Sequence, residues 1–263
     1  MLRTFVCVVL LAMFAACATA TVQTLQVQNG LNVGGSTYSS TESMWMRSSD
    51  GLGINNTMLR VGYQTTTSFR SLLRFNYLDE KYHNVDLGFN ANQIVGARLV
   101  LTTDTAFEGA GYCELRALGQ SDEGWTEMYT NWNYKRTDYT PQVAWEGGAG
   151  VGSNYSDVID TVRWMNPGGN AVPTLTALTF DITGAALDVV KNWVSGDDTS
   201  GGFIFRADVE SGSANNYIDF YSEAYAGVPS YRPMLEIQYI PEPATLAILG
   251  VGGLLAALRR KQN

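Results

Sequence analysis

Histidine and cysteine are scarce in this chain of 263 residues, and their scarcity argues against several kinds of site. A catalytic zinc site usually needs two or three histidines. The chain has one, His83, which lies in a polar stretch and which we interpret as a surface-loop residue. Of the three cysteines, Cys7 and Cys17 lie in an N-terminal segment that we expect to be removed. Cys113 then has no partner for an internal disulfide, and we interpret it as a buried, inert thiol.

Basic residues are also in short supply. Residues 21–240 carry 13 Lys and Arg against 24 Asp and Glu, a formal charge of −11. Such a surface repels nucleic acid and anionic polysaccharide and favours solubility. We therefore expect no nucleic-acid partner, and a neutral rather than an anionic polysaccharide as ligand.

No apolar run reaches the roughly 20 residues that a transmembrane helix normally needs. The run near the C-terminus, 244–258, has 15 residues, which would span about 22 Å as a helix. It follows the triplet Pro241-Glu242-Pro243 and precedes the basic cluster Arg259-Arg260-Lys261. The basic cluster belongs on the cytoplasmic side, and snorkelling side chains let a short helix span the bilayer. The tail 241–263 is therefore predicted to insert into a membrane, with the preceding domain outside the cell's inner membrane.

This tail resembles the PEP-CTERM sorting signal, in which a Pro-Glu-Pro triplet, a short apolar helix and a basic terminus follow one another in this order. The resemblance covers residues 241–263. It implies a bacterium with two membranes and processing near the triplet by an exosortase-type membrane peptidase. It also implies delivery to the cell surface or into exopolysaccharide. A plain C-terminal anchor is the alternative, although such an anchor is normally longer and needs no triplet.

The N-terminus is typical of a secretory signal peptide. Arg3 supplies the charged start, residues 5–16 form a short apolar stretch, and Ala18-Thr19-Ala20 offers the small-residue cleavage pattern. We place cleavage after Ala20, so residues 1–20 are the predicted signal peptide and the chain is secreted through the inner membrane. A weak lipoprotein box that ends at Cys17 makes lipidation of that residue the alternative.

Period-two alternation of apolar residues predicts half-buried strands along residues 21–240. It occurs at Leu25/Val27, Leu59/Val61, Ala97/Leu99/Leu101, Phe203/Phe205/Ala207, Ile218/Phe220 and Leu235/Ile237/Tyr239. One helix is predicted near residues 184–195, where Thr183 is a candidate N-cap and Gly196 ends the helical spacing. Many short strands, one helix and no linker before Pro241 predict one all-β domain, a jelly-roll β-sandwich.

Several short motifs follow one another across this domain. They are Ser71-Leu72-Leu73-Arg74-Phe75, Ile94-Val95-Gly96-Ala97-Arg98-Leu99, Trp125-Thr126-Glu127, Thr130-Asn131-Trp132-Asn133, Phe180-Asp181-Ile182-Thr183, Gly202-Phe203-Ile204-Phe205-Arg206, Ser222-Glu223 and the stretch from Arg232 to Tyr239. Their order and spacing resemble the DNRLRE domain, which is related to disaggregatase repeats and carbohydrate-binding modules. The resemblance implies a jelly-roll sandwich of extracellular proteins, and it does not imply catalysis by the module itself. Alginate binders of that family use basic side chains, and this acidic chain departs from that pattern.

Acidic clusters are the remaining candidates for catalysis or metal binding. Asp122, Glu123 and Glu127 form one cluster, and Asp157 and Asp160 form another. Paired carboxylates are what glycoside hydrolysis requires, and carboxylates with loop carbonyls are what calcium prefers. Acidic runs are usually solvated faces, so we expect a non-catalytic protein without a cofactor. Calcium at such a cluster, and a polysaccharide-active enzyme, stay open as alternatives.

Aromatic residues concentrate between residues 125 and 164, in a segment that is otherwise typical of loops. Four of the six tryptophans lie there: Trp125, Trp132, Trp145 and Trp164. Aromatic rings stack on the apolar faces of sugars, while polar neighbours bond the hydroxyls. Because Trp125 and Trp132 belong to the motifs above, we expect them to pack internally. Tyr134, Tyr139 and Trp145 are therefore the candidate glycan-binding residues.

Three functions follow from these observations. The first is a surface-delivered, non-catalytic protein that binds or is embedded in extracellular polysaccharide. The second is a purely structural matrix or adhesion protein without a glycan site. The third is an enzyme that acts on polysaccharide. Membrane contact through the C-terminal tail precedes processing in each case.

The sorting hypothesis makes a direct prediction about the C-terminus. Replacing Arg259, Arg260 and Lys261 by neutral residues removes the cytoplasmic retention signal, so the tail should pass through the membrane unprocessed. Deleting residues 241–263 should release folded domain into the periplasm or medium, since no predicted core strand is lost. Mass spectrometry of the mature surface protein measures both processed ends. A mature surface protein that is intact through Asn263 would contradict the hypothesis.

Overall fold

A computed structural model describes residues 21–54, 56–79, 86–106, 111–119, 122, 124–164, 171–196, 201–212 and 215–242. Several predictions fall on residues outside these ranges. They concern the signal peptide 1–20 with Ala18, Ala20 and Cys17, the loop residue His83, Pro243, the apolar run 244–258, and Arg259, Arg260 and Lys261.

The described residues form sixteen strands and one short α-helix, which fits the all-β prediction. The strands are β1 (Gln23–Gln28), β2 (Asn32–Val33), β3 (Ser36–Thr37), β4 (Thr41–Arg47), β5 (Gly53–Ile54), β6 (Met58–Gln64), β7 (Thr67–Phe75), β8 (Ile94–Ala106), β9 (Tyr112–Ala117), β10 (Tyr134–Arg136), β11 (Val143–Ala144), β12 (Asp160–Arg163), β13 (Ala177–Ile182), β14 (Phe203–Ala207), β15 (Asn215–Tyr221) and β16 (Met234–Tyr239). The helix, α1, is Leu187–Ser195.

The main sheet is antiparallel and curls around the long strand β8. The first part of β8 pairs with β16 on one side and β13 on the other, and β1 follows β16 at the edge. The last part of β8 pairs with β15, which continues through β6, β7, β14 and β9 to β12, with β4 beside β7. Strand β8 thus belongs to both halves of the curled sheet, an arrangement consistent with a β-sandwich.

The core lies between the two halves, and the period-two pattern identifies its members. Leu59, Leu99, Phe205 and Leu235 are fully buried, as the alternation predicts. Each such side chain contributes about 1.5–3 kcal/mol by leaving water. Cys113 is also fully buried, which confirms the prediction of a buried thiol, and burial raises the pKa of this thiol well above the ordinary value.

Helix α1 ends where the sequence predicts and begins later. Gly196 takes the left-handed conformation (φ 70°), and its main-chain N–H bonds the carbonyl of Asn192. Thr183 precedes a 3₁₀ turn, Gly184–Ala186, and its side chain makes no capping hydrogen bond. The predicted capping role of Thr183 is therefore wrong, because the 3₁₀ turn separates it from the α-helix, whose N-cap is Ala186.

Trp193 is the largest side chain that α1 buries. It is 2% exposed. Its ring packs edge-on against Phe203, with 5.4 Å between the ring centroids, and at a tilt against Phe75, with 5.9 Å between the centroids. Leu187 and Val190 are buried on the same helix, as their helical spacing predicts.

The two ends of the described domain meet at one corner of the sheet. Gln23 of β1 pairs with Tyr239 of β16. Gln93 holds the residue that follows the last strand, Ile240, by two hydrogen bonds. The main-chain carbonyl of Gln93 accepts from the N–H of Ile240 at 2.9 Å, and the side chain of Gln93 donates to the carbonyl of Ile240 at 3.0 Å. Regular pairing therefore ends just before Pro241.

The packing of Trp193 predicts a large loss of stability on truncation. Trp193→Ala should lower the free energy of unfolding by about 3–5 kcal/mol, because it opens a cavity beside Phe203 and Phe75. Lys191→Ala, on the half-exposed side of the same helix, is the matched control and should change it by less than about 0.5 kcal/mol. Urea denaturation measures both values. A loss below roughly 1 kcal/mol for Trp193→Ala would contradict the packing.

Candidate functional site

Strand β7 is buried on both faces because a long connection covers the outside of the sheet. We call residues 122 and 124–157, which form this connection, the lobe. Leu73 and Phe75 face the main core, whereas Leu72 faces the lobe. A second hydrophobic cluster fills the space between lobe and sheet. Its buried members are Met44, Met46, Leu72, Leu118, Trp125, Trp145, Val151 and Ile204.

Arginines of β7 stack under tryptophans of the lobe. The guanidinium of Arg74 lies 4.7 Å from the ring centroid of Trp125, and that of Arg70 lies 5.4 Å from the ring of Trp132. Cation–π contacts of this kind are worth about 0.5–2 kcal/mol, more where water is excluded. The lobe is therefore attached to the sheet by charged as well as apolar contacts.

A second pair of arginines holds the far end of the lobe. Arg116 of β9 and Arg206 of β14 lie 5.0 and 5.3 Å from the ring of Tyr155. Arg116 also donates to the carbonyl of Ser156 at 2.9 Å. Tyr155 thus takes part in attachment and is not a free recognition residue.

Each β7 arginine has an acidic partner, as burial of a charge requires. Arg70 bonds Glu210 through two nitrogens at 2.7 and 2.6 Å, and it donates to the carbonyl of Gly150 at 2.6 Å. Arg74 donates to Glu42 at 2.7 Å. Gly150 lies flat against Trp132, where a Cβ would come within 2.6 Å of the ring, and its φ of 67° also favours glycine.

The tryptophans of the lobe serve packing, including one that we expected at the surface. Trp125 is fully buried, and its indole N–H donates to the carbonyl of Gly201 at 2.6 Å. Trp132 packs half-buried against the same cluster, so the packing roles predicted for Trp125 and Trp132 are confirmed. Trp145, a predicted glycan-binding residue, is only 3% exposed, and its indole N–H donates to the carbonyl of Asn131 at 2.9 Å. The expectation of an exposed Trp145 is corrected, because its ring fills the space between lobe and sheet.

Two tyrosines of the lobe remain at the surface around one arginine. Tyr139 is 52% exposed and Tyr129 is 40% exposed. The guanidinium of Arg136 lies 4.7 Å from the ring of Tyr139 and 5.9 Å from that of Tyr129. Asp138 accepts two bonds from Arg136 at 2.7 and 2.5 Å, and this partner holds the pKa of Asp138 below its usual range. We call Tyr129, Arg136, Asp138 and Tyr139 the tyrosine platform.

The third predicted residue, Tyr134, lies beside the platform. It belongs to β10, pairs with Ala144 of β11 and is half-buried. The sequence prediction therefore included one residue of the platform, Tyr139, and omitted Tyr129, Arg136 and Asp138. The signal that could have found them is the spacing of aromatic and basic residues between 129 and 139, where an arginine lies between two tyrosines.

Two acids of the predicted clusters, Asp122 and Asp160, accept internal hydrogen bonds, and Glu123 lies outside the described residues. Asp122 is fully buried and accepts bonds from the Glu146 main chain at 3.0 Å and the Asn154 side chain at 2.8 Å. Asp160 accepts a bond from the main chain of Asp181 at 2.7 Å. Within the described ranges, no group of three or more His, Cys, Asp or Glu side chains is placed to hold a metal ion. Calcium binding stays a prediction.

Two glutamates from distant segments share a buried position at the edge of the lobe. Glu223, just after β15, is 9% exposed and accepts a hydrogen bond from the Ser43 hydroxyl of β4. Its carboxyl group is also hydrogen-bonded to that of Glu127 in the lobe. Burial, and secondarily the neighbouring Glu127, raises the pKa of Glu223 to about 8. This contact links the lobe to the loop after β15.

These features define a mostly β domain with a packed lobe that presents tyrosines at its surface. Residues 240–261 match the PEP-CTERM protein-sorting motif, which confirms the resemblance of the tail. The motif implies processing by an exosortase membrane peptidase and sorting toward the cell surface or the extracellular space. A comparison with curated proteins finds no match. No helix of the described ranges is long and apolar enough to cross a membrane.

The carboxyl pair predicts that stability falls as pH rises from about 5 to about 8. Unfolded Glu223 titrates near 4.5, whereas the pKa in the folded protein is about 8, so only the folded state keeps the proton in this window. The contribution of protonated Glu223 to the free energy of unfolding is complete below pH 4.5. It is lost as the pH rises past about 8. The expected slope is about 1 kcal/mol per pH unit. Urea denaturation at a series of pH values measures it.

Glu223→Gln is the decisive variant, because it keeps the shape and removes the titration. It should flatten the dependence of unfolding free energy on pH. Glu236→Gln, on β16, is the matched control and should keep the wild-type slope. A Glu223→Gln protein with the wild-type slope would contradict the raised pKa of Glu223.

Proposed function

We propose that this protein is a non-catalytic, exosortase-sorted surface protein that binds neutral extracellular polysaccharide at the tyrosine platform. The observation that carries the proposal is the exposure of Tyr129 and Tyr139 around Arg136 on a lobe whose tryptophans pack against the sheet. Exposed aromatic rings on a rigid support bind sugar faces with little loss of conformational entropy. The hydroxyls of both tyrosines and the carboxylate of Asp138 are available to order the hydroxyls of a sugar.

The neutral character of the ligand follows from charge. The domain carries −11, and the cation of the platform, Arg136, is already paired with Asp138. An anionic chain such as alginate would meet a repulsive surface with no uncommitted platform cation. A neutral chain meets no such penalty.

The proposal includes a jelly-roll fold of the DNRLRE type. Support comes from the place where the motif residues meet. Arg74, Trp125 and Arg206 all lie at the junction of lobe and sheet, and Glu223 fastens the edge of the lobe. Motifs that are far apart in sequence therefore serve one structural purpose, the attachment of the lobe.

A purely structural matrix protein is the second candidate, and one observation favours it. Most aromatic rings of the lobe, including Trp125, Trp145 and Tyr155, are used in packing or attachment. In that case the platform is an ordinary surface, and polysaccharide surrounds the protein without a defined site. An activity on polysaccharide is a third candidate, for which release of reducing sugar from exopolysaccharide is the assay.

In transit, the domain is held outside the membrane by its tail. The C-terminal residue of β16, Tyr239, pairs with Gln23, so the chain enters and leaves the domain at one corner. The tail from Pro241 therefore leaves the curled sheet without removing a strand from it. We expect the processed protein at the cell surface or in the extracellular matrix.

The platform predicts loss of glycan binding on removal of its rings. Tyr139→Ala and Tyr129→Ala should each weaken binding to neutral polysaccharide about tenfold, because each removes a stacking face. The measurement is an array of glucans, galactans, mannans and xylans, with alginate as the anionic comparison. Wild-type protein should bind at least one neutral glycan and should not bind alginate.

Tyr112→Ala is the matched control, because Tyr112 is 43% exposed and its ring lies 5.9 Å from the guanidinium of Arg163, outside the lobe. It should bind as the wild type does. If no neutral glycan binds the wild type, the structural candidate replaces this proposal.

A further inference from the structure

A small groove lies beside the β2–β3 hairpin, away from the residues assigned to the tyrosine platform. The hairpin turns through Gly34 and Gly35, both at positive φ, and the chain then runs along the groove to β4. The groove encloses about 190 Å³. Its lining residues are Val33, Ser36, Thr37, Tyr38, Ser39, Ser40 and Tyr77.

The chemistry of the lining is uniform. Four of the seven residues carry aliphatic hydroxyls, two are tyrosines and one is valine. Each hydroxyl can both donate and accept a hydrogen bond. In the described part of the chain, no charged side chain lines the groove, so an ionic ligand would lose its hydration without gaining a partner. The lining suits a small neutral ligand that is rich in hydroxyl groups.

The floor of the groove is rigid. Tyr38 is 4% exposed, its ring packs against Phe75, and its hydroxyl donates to the carbonyl of Asn76 at 2.8 Å. Burial raises the pKa of Tyr38, so the phenol stays neutral. The N–H of Asn76 in turn bonds the carbonyl of Ser40 at 3.0 Å. These hydrogen bonds hold Ser40 on one side of the groove and Asn76, next to Tyr77, on the other side in fixed positions relative to Tyr38.

Tyr77 forms the exposed rim in an unusual conformation. The residue is 45% exposed, and its backbone has φ of 60°, a left-handed value that bulky residues rarely adopt. Such conformations persist only where the surroundings impose them, and they cluster at ligand clamps. The fixed position of Asn76 before it explains how the strain is held.

We propose that this groove is a second saccharide site, which takes one neutral sugar unit of an extracellular polysaccharide. The ring of Tyr77 covers the apolar face of the sugar, and Ser36, Thr37, Ser39 and Ser40 bond its hydroxyls. This inference rests on the proposed function, since it assigns a further site for the same class of ligand. With two sites, one protein can hold two polysaccharide chains, or one chain twice.

The test uses the full chain purified from cells that express it, with linear neutral oligosaccharides of glucose, galactose, mannose and xylose as probes. Tyr77→Ala should weaken binding of the preferred oligosaccharide about tenfold or more, because a stacking face is lost. Tyr77→Phe keeps the ring and should stay within about threefold of the wild type. Tyr77→Gly relieves the left-handed strain and should still lose binding, which separates the ring from the backbone.

Leu175→Ala is the matched control, since Leu175 is 50% exposed and also left-handed (φ 62°) but lies outside the groove. It should bind as the wild type does. Circular dichroism of each variant establishes that it is folded.

The possible results separate the two sites. Binding that is lost in Tyr77→Ala and retained in Tyr139→Ala supports the groove and overturns the platform. Weakening in both variants supports both sites. Binding that is unchanged in a folded Tyr77→Ala protein but lost in Tyr139→Ala overturns the groove alone. A wild type that binds none of the neutral probes overturns both assignments.

Discussion

The stacking of arginines beneath aromatic rings is the contact on which the order of the lobe depends. Arg70 and Arg74 lie on the face of β7 that the lobe covers, and their guanidinium groups stack against Trp132 and Trp125 of the lobe. Paired acids neutralise the two charges, so the rings can exclude water without leaving an unpaired cation. A segment with little regular structure is thereby held in one position on the sheet.

That attachment also determines which aromatic residues stay free. The lobe uses its tryptophans to close the second cluster, and it leaves tyrosines at its outer surface. A tyrosine suits this position, because its ring is apolar and its hydroxyl can stay in water. The groove beside the β2–β3 hairpin follows the same division, with Tyr38 buried as floor and Tyr77 exposed as rim.

The meeting of both chain ends at one corner connects the fold with sorting. Strands β1 and β16 are neighbours, and the sorting motif begins at residue 240, where the last strand has just ended. Processing within the motif therefore spares every described strand. The acidic surface of the domain favours solubility.

Local patterns in the sequence determined six of the sixteen described strands, the end of helix α1 at Gly196 and the sorting tail. Alternation with period two and a left-handed glycine act over a few residues, so they can be recognised without tertiary contacts. The tertiary structure alone decided that Trp145 is buried and that Tyr129 joins Tyr139 around Arg136. It also brought Ser43 to Glu223 across 180 residues. Periodicity reports that one face of a strand is covered, and it does not report which distant segment covers the other face.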